Sequence, residues 1–342
     1  MDHPIDFYQS LPKVDLHRHL EGSLRLRTIR EITRAQRSKT PASSKPLSDR
    51  VRVQTSDPNT YQNFLAKFDT LRLFYRSPEV IQRVTREAVE DAAKDAIHYL
   101  ELRFSPVALS HAERFPLGEV MDWVCVSASQ AARDFNLRVR LIASVNRHES
   151  PELAEQVAWL SAERIPHGLL GLDLAGNEAE FPMVPFQGIF KEARLSGLKL
   201  TVHAGEWAGA ENVRQAIEIL NADRIGHGVR VMEDSETVAL ARERGTAFEV
   251  CVTSNYHTGA VGSLQDHPLM KMVQAGLNVV LGTDDPSISQ ITLSNEYRRS
   301  CEDLELPQDQ LKERILLAAQ VSFLQETERK KLVEELRQEL HL

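Results

Sequence analysis

Residues 13–19, KVDLHRH, form the first of eight short runs that we predict to be β-strands. Amphipathic stretches separate most of these runs, as in residues 80–95, where Val84, Ala88 and Ala92 share one helical face. The other predicted strands are 97–104, 138–145, 169–174, 199–203, 224–227, 247–252 and 278–282. The other amphipathic stretches are 119–134, 151–162 and 212–220. This alternation predicts repeated βα units.

Eight strands that alternate with helices fit a closed (β/α)₈ barrel, an α/β fold, better than an open doubly wound sheet. No GxGxxG motif follows the first strand, which disfavours the dinucleotide-binding form of the open sheet. The chain has no internal repeat or low-complexity tract, so we predict a single catalytic domain over residues 1–342. Residues 38–58, rich in Ser, Pro, Asp and Arg, are predicted to be a surface insertion in the first βα connection.

Composition and charge argue against several classes of function. The formal net charge of −8 opposes binding to a nucleic acid, and no run of apolar residues is long enough to span a membrane. Cys125, Cys251 and Cys301 lie far apart without a CxxC pair, which indicates a reducing compartment. The first residues, MDHPIDFYQSLPK, do not resemble a secretory signal. We therefore expect a cytoplasmic protein with a small-molecule substrate.

Histidines and aspartates occur where the predicted strands end. Active sites of (β/α)₈ barrels form at these C-terminal ends. His17 and His19 close the first strand, and because they are two residues apart, both imidazoles can point into the barrel mouth. The ends of the fifth, sixth and eighth strands add His203, His227, Asp284 and Asp285. Four strand ends therefore deliver imidazoles and carboxylates to one place.

Nitrogen and oxygen donors of this kind suit a single divalent metal ion. Zn²⁺ in such a set can lower the pKa of a bound water from about 16 to about 7, and Glu206, three residues after His203, could move a proton. An HxH pair, a GHG turn or a DDP turn is weak evidence alone, and it is their joint placement that predicts a metal site. No lysine ends the fourth strand to bridge two metals, which favours one ion per chain. The predicted chemistry is addition of hydroxide to an sp² carbon with protonation of a nitrogen.

Eight segments between residues 12 and 286 resemble the adenosine deaminase family, and they occur in that family's order. They are PKVDLHRHLEGSLR, FLAKFD, ELRFSP, LDLAGNE, TVHAGEW, RIGHGVR, CVTSN and GTDDP. The resemblance implies zinc-dependent deamination of adenosine and 2′-deoxyadenosine to inosine, deoxyinosine and ammonia, in purine salvage. It also implies one Zn²⁺ per chain, with the ligands His17, His19, His203 and Asp284.

The resemblance also implies roles around the purine. Glu206 would protonate N1 while hydroxide attacks C6, and His227 would orient the water and stabilise charge on its oxygen. Asp285 would contact N7, and the backbone of Gly176 would lie against N3. Glu21 would reach the ribose 5′ oxygen. Residues 61–68 have helical spacing, and in the family a helix here covers the purine pocket, which would place Phe64 and Phe68 against the substrate.

Two departures from the family pattern leave the substrate open. Glu21 stands where many adenosine deaminases have Asp, and Glu is also found there in adenine deaminases. Asn177 replaces the Asp of LAGDE, whereas CVTSNYHTGAV is closer to the adenosine enzymes. We therefore expect adenosine, with adenine or a 5′-modified adenosine as the alternative.

Other classes of protein fit the sequence less well. A different mononuclear amidohydrolase would share the metal ligands, and a non-catalytic barrel would usually have lost some of them. Deaminases of polynucleotides use HxE with PCxxC, and this chain has no PCxxC. The expected partner is thus a purine nucleoside, and the chain is expected to be a monomer or a weak homo-oligomer.

Several other polar residues are interpreted as structural. Glu101 and Arg103 on the second strand are expected to form a buried polar network, because charges inside a barrel need partners. Asp173 is a candidate to support a metal ligand. Six histidines outside the strand-end motifs are expected to be solvated or structural: His98, His111, His148, His167, His257 and His267.

Overall fold

The parallel sheet of the chain closes in sequence order. A computed structural model describes residues 5–35 and 45–342, and within them eight parallel strands pair consecutively from the first to the eighth. The strands are β1 (Lys13–His19), β2 (Ile97–Phe104), β3 (Arg138–Asn146), β4 (Leu169–Ala175), β5 (Lys199–Ala204), β6 (Arg224–His227), β7 (Ala247–Val250) and β8 (Asn278–Leu281). The predicted (β/α)₈ barrel is confirmed.

Helices surround the barrel, and each of the four amphipathic stretches predicted from the sequence overlaps one of them. In chain order the α-helices are α1 (Ile5–Ser10), α2 (Leu26–Ala35), α3 (Leu47–Val51), α4 (Tyr61–Leu71), α5 (Pro78–Lys94), α6 (Pro106–Ser110), α7 (Leu117–Asp134), α8 (Pro151–Glu163), α9 (Gln187–Leu195), α10 (Ala210–Glu218), α11 (Ser235–Arg244), α12 (Val252–His257), α13 (Leu269–Gln274), α14 (Pro286–Ser289), α15 (Leu293–Glu302), α16 (Gln308–Gln320) and α17 (Glu326–Leu340). Short 3₁₀ helices are Glu21–Ser23, Arg72–Phe74, Ile165–His167, Val184–Phe186 and Val229–Glu233. No helix in the described part of the chain has the length and apolar character needed to cross a membrane.

The seventh strand is shorter than the sequence predicts. The prediction of 247–252 was wrong at its end, because Cys251 precedes a helix and Val252 begins α12. Both side chains remain buried, so the apolar run continues from strand into helix and hydropathy does not mark the boundary. The eighth strand ends one residue earlier than predicted, and the third, fourth and fifth strands extend further.

Part of the predicted insertion packs against the barrel mouth. Residues 38–44 of this segment lie outside the described residues. In the remainder, α3 packs against α4, Val51 is buried, and the Val53 N–H donates to the Ile288 carbonyl oxygen at 2.9 Å. Residues 45–58 therefore help to support α4.

The barrel closes at Asp284, which follows β8. The Asp284 N–H donates to the His17 carbonyl oxygen at 2.7 Å, and its own carbonyl accepts from the His19 N–H at 2.8 Å. The buried carboxylate of Asp15 accepts from the Thr283 hydroxyl at 2.7 Å and from Arg18 Nε at 3.0 Å. Asp284 itself has a φ of 58°, an uncommon backbone conformation for a residue with a side chain. Closure thus fixes Asp284 beside the two histidines of β1.

A buried ionic network fills the barrel beneath its mouth. Arg224 contacts Glu101 and donates from Nε to Glu249 at 2.6 Å. Arg103 donates to the other Glu249 oxygen at 2.7 Å and lies 3.5 Å from Asp173. All five side chains are essentially inaccessible to solvent. The interpretation of Glu101 and Arg103 as a structural network is confirmed.

Replacing Arg224 with Met tests the stabilising effect of this network. Glu101 would lose the arginine that neutralises it, and Glu249 would lose one of its two arginines. We therefore expect the free energy of unfolding, measured by urea denaturation, to fall by about 3–5 kcal/mol. Arg138→Met is the control, because its ion pair with Glu335 is about one-third exposed on each side and its loss should cost less than about 1 kcal/mol. Equal losses in the two variants would contradict the expectation.

Candidate active site

Four predicted ligands converge at the mouth of the barrel. Asp284 Oδ1 lies 3.2 Å from His17 Nε2 and 3.3 Å from His19 Nε2. His19 Nε2 is in turn 3.3 Å from His203 Nε2 at the end of β5. His17, His203 and Asp284 are buried, and the side chain of His19 is 14% exposed. Three strand ends thus bring three imidazoles and a carboxylate within contact distance.

The hydrogen bonds behind two of these imidazoles suit metal ligands. His17 Nδ1 is 2.8 Å from a Glu249 oxygen, and His203 Nδ1 is 3.0 Å from an Asp173 oxygen. A carboxylate accepts the proton on Nδ1, which leaves the lone pair on Nε2 directed at the cluster. His17 Nε2 is buried without a hydrogen-bond partner among the described residues. Such a cluster of lone pairs fits a divalent cation.

His227 lies beside the cluster, with its ring centroid 4.7 Å from that of His17 and 5.2 Å from that of His203. Its Nε2 is 3.5 Å from a Glu206 oxygen and 3.9 Å from Asp284 Oδ2. By distance alone His17, His203, His227 and Asp284 also form a group that could hold a metal ion. His19 lies closer to Asp284 than His227 does. The side chain next to His227 Nδ1 is the amide of Asn255, whereas carboxylates occupy this position at His17 and His203.

One carboxylate holds the loop that carries Glu206. After β5, four successive backbone N–H groups donate to Glu178, at 2.9 Å from Gly205, 2.6 Å from Glu206, 2.6 Å from Trp207 and 3.0 Å from Ala208. Residues 205–208 belong to no helix or strand, so Glu178 accepts hydrogen bonds from backbone donors that secondary structure does not satisfy. The sequence reasoning did not single out Glu178. Its position in the LDLAGNE motif could have marked Glu178 as a candidate, but the sequence does not show that backbone N–H groups bind its carboxylate.

Glu206 is placed to act as a proton donor. Its side chain is buried in the cavity, and the Thr258 hydroxyl donates to it at 3.3 Å. Burial, followed by the negative charges of Asp284 and Glu178, raises the pKa of Glu206 well above its ordinary value. These surroundings favour the protonated form of Glu206 over its carboxylate.

Asp285 is a second buried carboxyl group that faces the cavity. Its Oδ1 has no hydrogen-bond partner in the described part of the chain. Burial first, and then the charges of Asp284 and Glu21, raise the pKa of Asp285 well above its usual value. A Cβ on Gly22 would lie 1.8 Å from this Oδ1, so only glycine leaves room for the carboxyl group.

The predicted substrate residues line one cavity beside the ligand cluster. Glu21 accepts from the Ser105 N–H at 2.6 Å, and burial raises the pKa of Glu21 to about 7. Helix α4 forms one wall, and Tyr61 on this helix stacks on Trp207 of the Glu206 loop at 5.0 Å. The lining includes the predicted residues Glu21, Phe64, Phe68, Gly176 and Asp285, together with Leu65 of the predicted covering helix. Other lining residues that the sequence did not single out are Arg72, Ser105, Asn146 and Trp207.

The fold and the site together identify the class of protein to which the chain belongs. A (β/α)₈ barrel that ends in buried histidines and an aspartate, next to a buried glutamate, is a metal-dependent hydrolase of the amidohydrolase type. The family model described as adenosine deaminase matches residues 12–339. The chain belongs to the adenosine deaminase family, as the resemblance predicted.

Known relatives are similar over nearly the whole chain. The adenosine deaminase of Klebsiella pneumoniae is 37% identical over 95% of this chain and 97% of its own length. That of Salmonella typhimurium is 35% identical, with the same coverage. A zinc-bound amidohydrolase from Burkholderia ambifaria is 25% identical, with a TM-score of 0.88 over 98% of this chain and 93% of its own. An adenine deaminase from Arthrobacter aurescens, with a TM-score of 0.88 over 97% and 100% of the two chains, is 24% identical and shares the fold.

Asp173→Asn tests whether the carboxylate behind His203 supports metal binding. An amide is a weaker acceptor for the Nδ1 proton, so we expect the dissociation constant for Zn²⁺ to rise about 10–100-fold, measured by competition with a chelator. Asp223→Asn is the control, because Asp223 binds Arg194 and the N–H of Leu200 near the start of β5. Unchanged Zn²⁺ affinity in Asp173→Asn would count against the proposed support.

Proposed function

We propose that this chain hydrolyses adenosine and 2′-deoxyadenosine to inosine or deoxyinosine and ammonia. The observation that carries the proposal is the cluster of four potential metal-ligand side chains next to the buried carboxyl group of Glu206, whose pKa is raised by that burial. The adenosine deaminases that match over 95% of the chain support it.

One Zn²⁺ per chain would be held by His17, His19, His203 and Asp284. Three nitrogens and one oxygen are a donor set that zinc accepts, and the Burkholderia relative binds zinc. When bound, such an ion supplies a water that is acidic enough to react at neutral pH. Glu249 and Asp173 keep the lone pairs of His17 and His203 turned toward the ion.

The purine ring would be recognised by three donors. N1, N3 and N7 of adenine are all acceptors, so a complementary pocket must present hydrogens to each of them. We assign the Glu206 carboxyl to N1, the backbone N–H of Gly176 to N3 and the Asp285 carboxyl to N7. The raised pKa values of Glu206 and Asp285 support this assignment, because they favour the protonated form of each carboxyl group, which can donate a hydrogen bond.

Proton transfer from Glu206 would lower the barrier to addition. When the water oxygen adds to C6, the ring loses its aromaticity, and protonation of N1 avoids a negative charge on the ring. The ionised Glu206 can then accept a proton from the added oxygen and pass it to the amino group as the C6–N bond breaks, and the second proton of that oxygen restores the Glu206 acid as the C6 carbonyl forms. Water and adenosine thereby give inosine and ammonia. His227, with Nε2 beside Glu206, would stabilise charge on the oxygen.

The far end of the cavity would bind the sugar. Glu21, Ser105 and Asn146 are polar groups that line the cavity, and we assign Glu21 to the ribose 5′ oxygen. Phe64 and Phe68 would cover the purine from α4. Glu21 keeps adenine and 5′-modified adenosines as the alternative substrates, whereas the names of the relatives at 35–37% identity favour adenosine.

We infer a single catalytic domain over residues 1–342 that works on free nucleosides as a monomer or weak homo-oligomer. The net charge of −8 supports a small-molecule partner over a nucleic acid. Cys125, Cys251 and Cys301 are free, which supports a reducing, cytoplasmic location.

Ammonia release from a panel of substrates tests this function. The zinc-loaded protein is offered adenosine, 2′-deoxyadenosine, adenine and 5′-substituted adenosines, with metal-stripped protein as the control. We expect rapid release from the first two compounds, little from adenine, and none after metal removal. A preference for adenine or a 5′-substituted compound would overturn the assignment of Glu21, and no release from any compound would overturn the proposed reaction.

A further inference from the structure

A buried relay leads from His227 away from the cavity. Asn255 on α12 lies behind the His227 ring, with its Nδ2 3.1 Å from His227 Nδ1. The other end of the same amide, Asn255 Oδ1, is 3.3 Å from Nε2 of His267. His267 Nδ1 is in turn 3.1 Å from the backbone nitrogen of Leu269. His227, Asn255 and His267 are all buried, so solvent does not compete for these hydrogen bonds.

The backbone N–H of Leu269 fixes the proton of His267. A backbone N–H can only donate, so His267 Nδ1 must present its lone pair. Burial lowers the pKa of His267 to about 3, so the ring is neutral near neutral pH. A neutral imidazole with its lone pair on Nδ1 carries its hydrogen on Nε2.

The orientation of Asn255 follows from this hydrogen. The Nε2–H of His267 needs an acceptor, which must be Asn255 Oδ1, and the amide NH₂ therefore points at His227. Because that NH₂ can only donate, His227 Nδ1 must hold a lone pair. The proton of a neutral His227 is then on Nε2, which faces Glu206 and Asp284.

The ligand histidines have the opposite arrangement. Behind His17 and His203 stand the carboxylates of Glu249 and Asp173, which accept a proton from Nδ1 and free Nε2 for a metal. Behind His227 stands an amide that donates. One cluster of imidazoles thus contains two tautomers, selected by the group behind each ring.

We propose that Asn255 and His267 are positioning residues that fix His227 as the Nε2–H tautomer. His227 is then a permanent hydrogen-bond donor to the oxygen that adds to the substrate. It is neither a metal ligand nor the base that takes the water's proton, because its Nε2 lone pair is already used. The tautomer rests on these hydrogen bonds and on the neutral state of His267, whereas its effect on turnover also rests on the proposed deamination.

Long-range ¹H–¹⁵N NMR correlation on protein labelled in its histidines reads the tautomer directly. The signals of His227 are identified by their loss in His227→Gln. We expect the zinc-loaded wild-type protein to show a hydrogen on His227 Nε2 and none on Nδ1. A hydrogen on Nδ1, alone or together with one on Nε2, would overturn the proposal, and this result does not depend on which substrate the enzyme uses.

Asn255→Asp tests the consequence for turnover. The carboxylate accepts from His227 Nδ1 and moves the hydrogen away from the cavity at nearly constant shape. We expect kcat to fall on the order of 100-fold or more, with zinc content retained and KM changed little. In the same NMR experiment His227 should become the Nδ1–H tautomer. A shifted tautomer with wild-type kcat would overturn the role in turnover, and absence of deamination by wild-type protein would instead refute the proposed function.

Variants of His267 separate the relay from general packing. His267→Gln retains an amide donor for Asn255 Oδ1, so we expect its kcat to stay within about tenfold of wild type. His267→Leu removes the donor, so the side-chain amide of Asn255 can flip. The kcat of this variant should therefore fall toward that of Asn255→Asp. His257→Gln is the control on α12, because His257 contacts Ser289 and lies outside the relay. Equal kcat values for the Gln and Leu variants of His267 would contradict the relay.

Discussion

The backbone hydrogen bonds of Asp284 are the constraint on which the site depends. They join the residues after β8 to β1 and so close the barrel, and the same residue contributes a carboxylate to the ligand cluster. The same residue therefore closes the barrel and contributes a potential metal ligand. His17 and His19 flank the bridge between Arg18 and Asp284, which explains why the histidines of the first strand meet an aspartate more than 260 residues away in sequence.

Around this closure, the group behind each imidazole decides what that imidazole can do. Glu249 belongs both to the ionic network and to His17, so the arginines that stabilise the barrel also hold a ligand partner in its ionised form. Glu178 has the same function for the loop of Glu206, with a carboxylate that satisfies four backbone donors. The reacting groups are thus held by buried charges and amides that never reach the cavity. Stability and chemistry depend on the same polar interior.

Strand-end positions could be predicted from the sequence because they depend on local pattern. Parallel strands deliver their last residues to one face, so His17, His203 and Asp284 were recognisable before any distance was known. The roles of Glu178, Asn255 and His267 could not be predicted, because each depends on contacts between segments distant in sequence or on backbone atoms. His267 was interpreted as solvated or structural, and only its contacts with Asn255 and Leu269 connect it to His227. The end of β7 was also missed, since buried residues continue into α12.

Glu206→Gln tests most directly whether this assembly supplies a proton to the substrate. Gln retains the size of the side chain but cannot protonate N1. We expect the variant to keep one zinc ion per chain and a KM near wild type, while kcat for adenosine falls about 10²–10⁴-fold. Turnover near the wild-type rate by the zinc-loaded variant would contradict the proposed proton transfer, because the buried carboxyl group of Glu206 beside the ligand cluster would then have no part in the reaction.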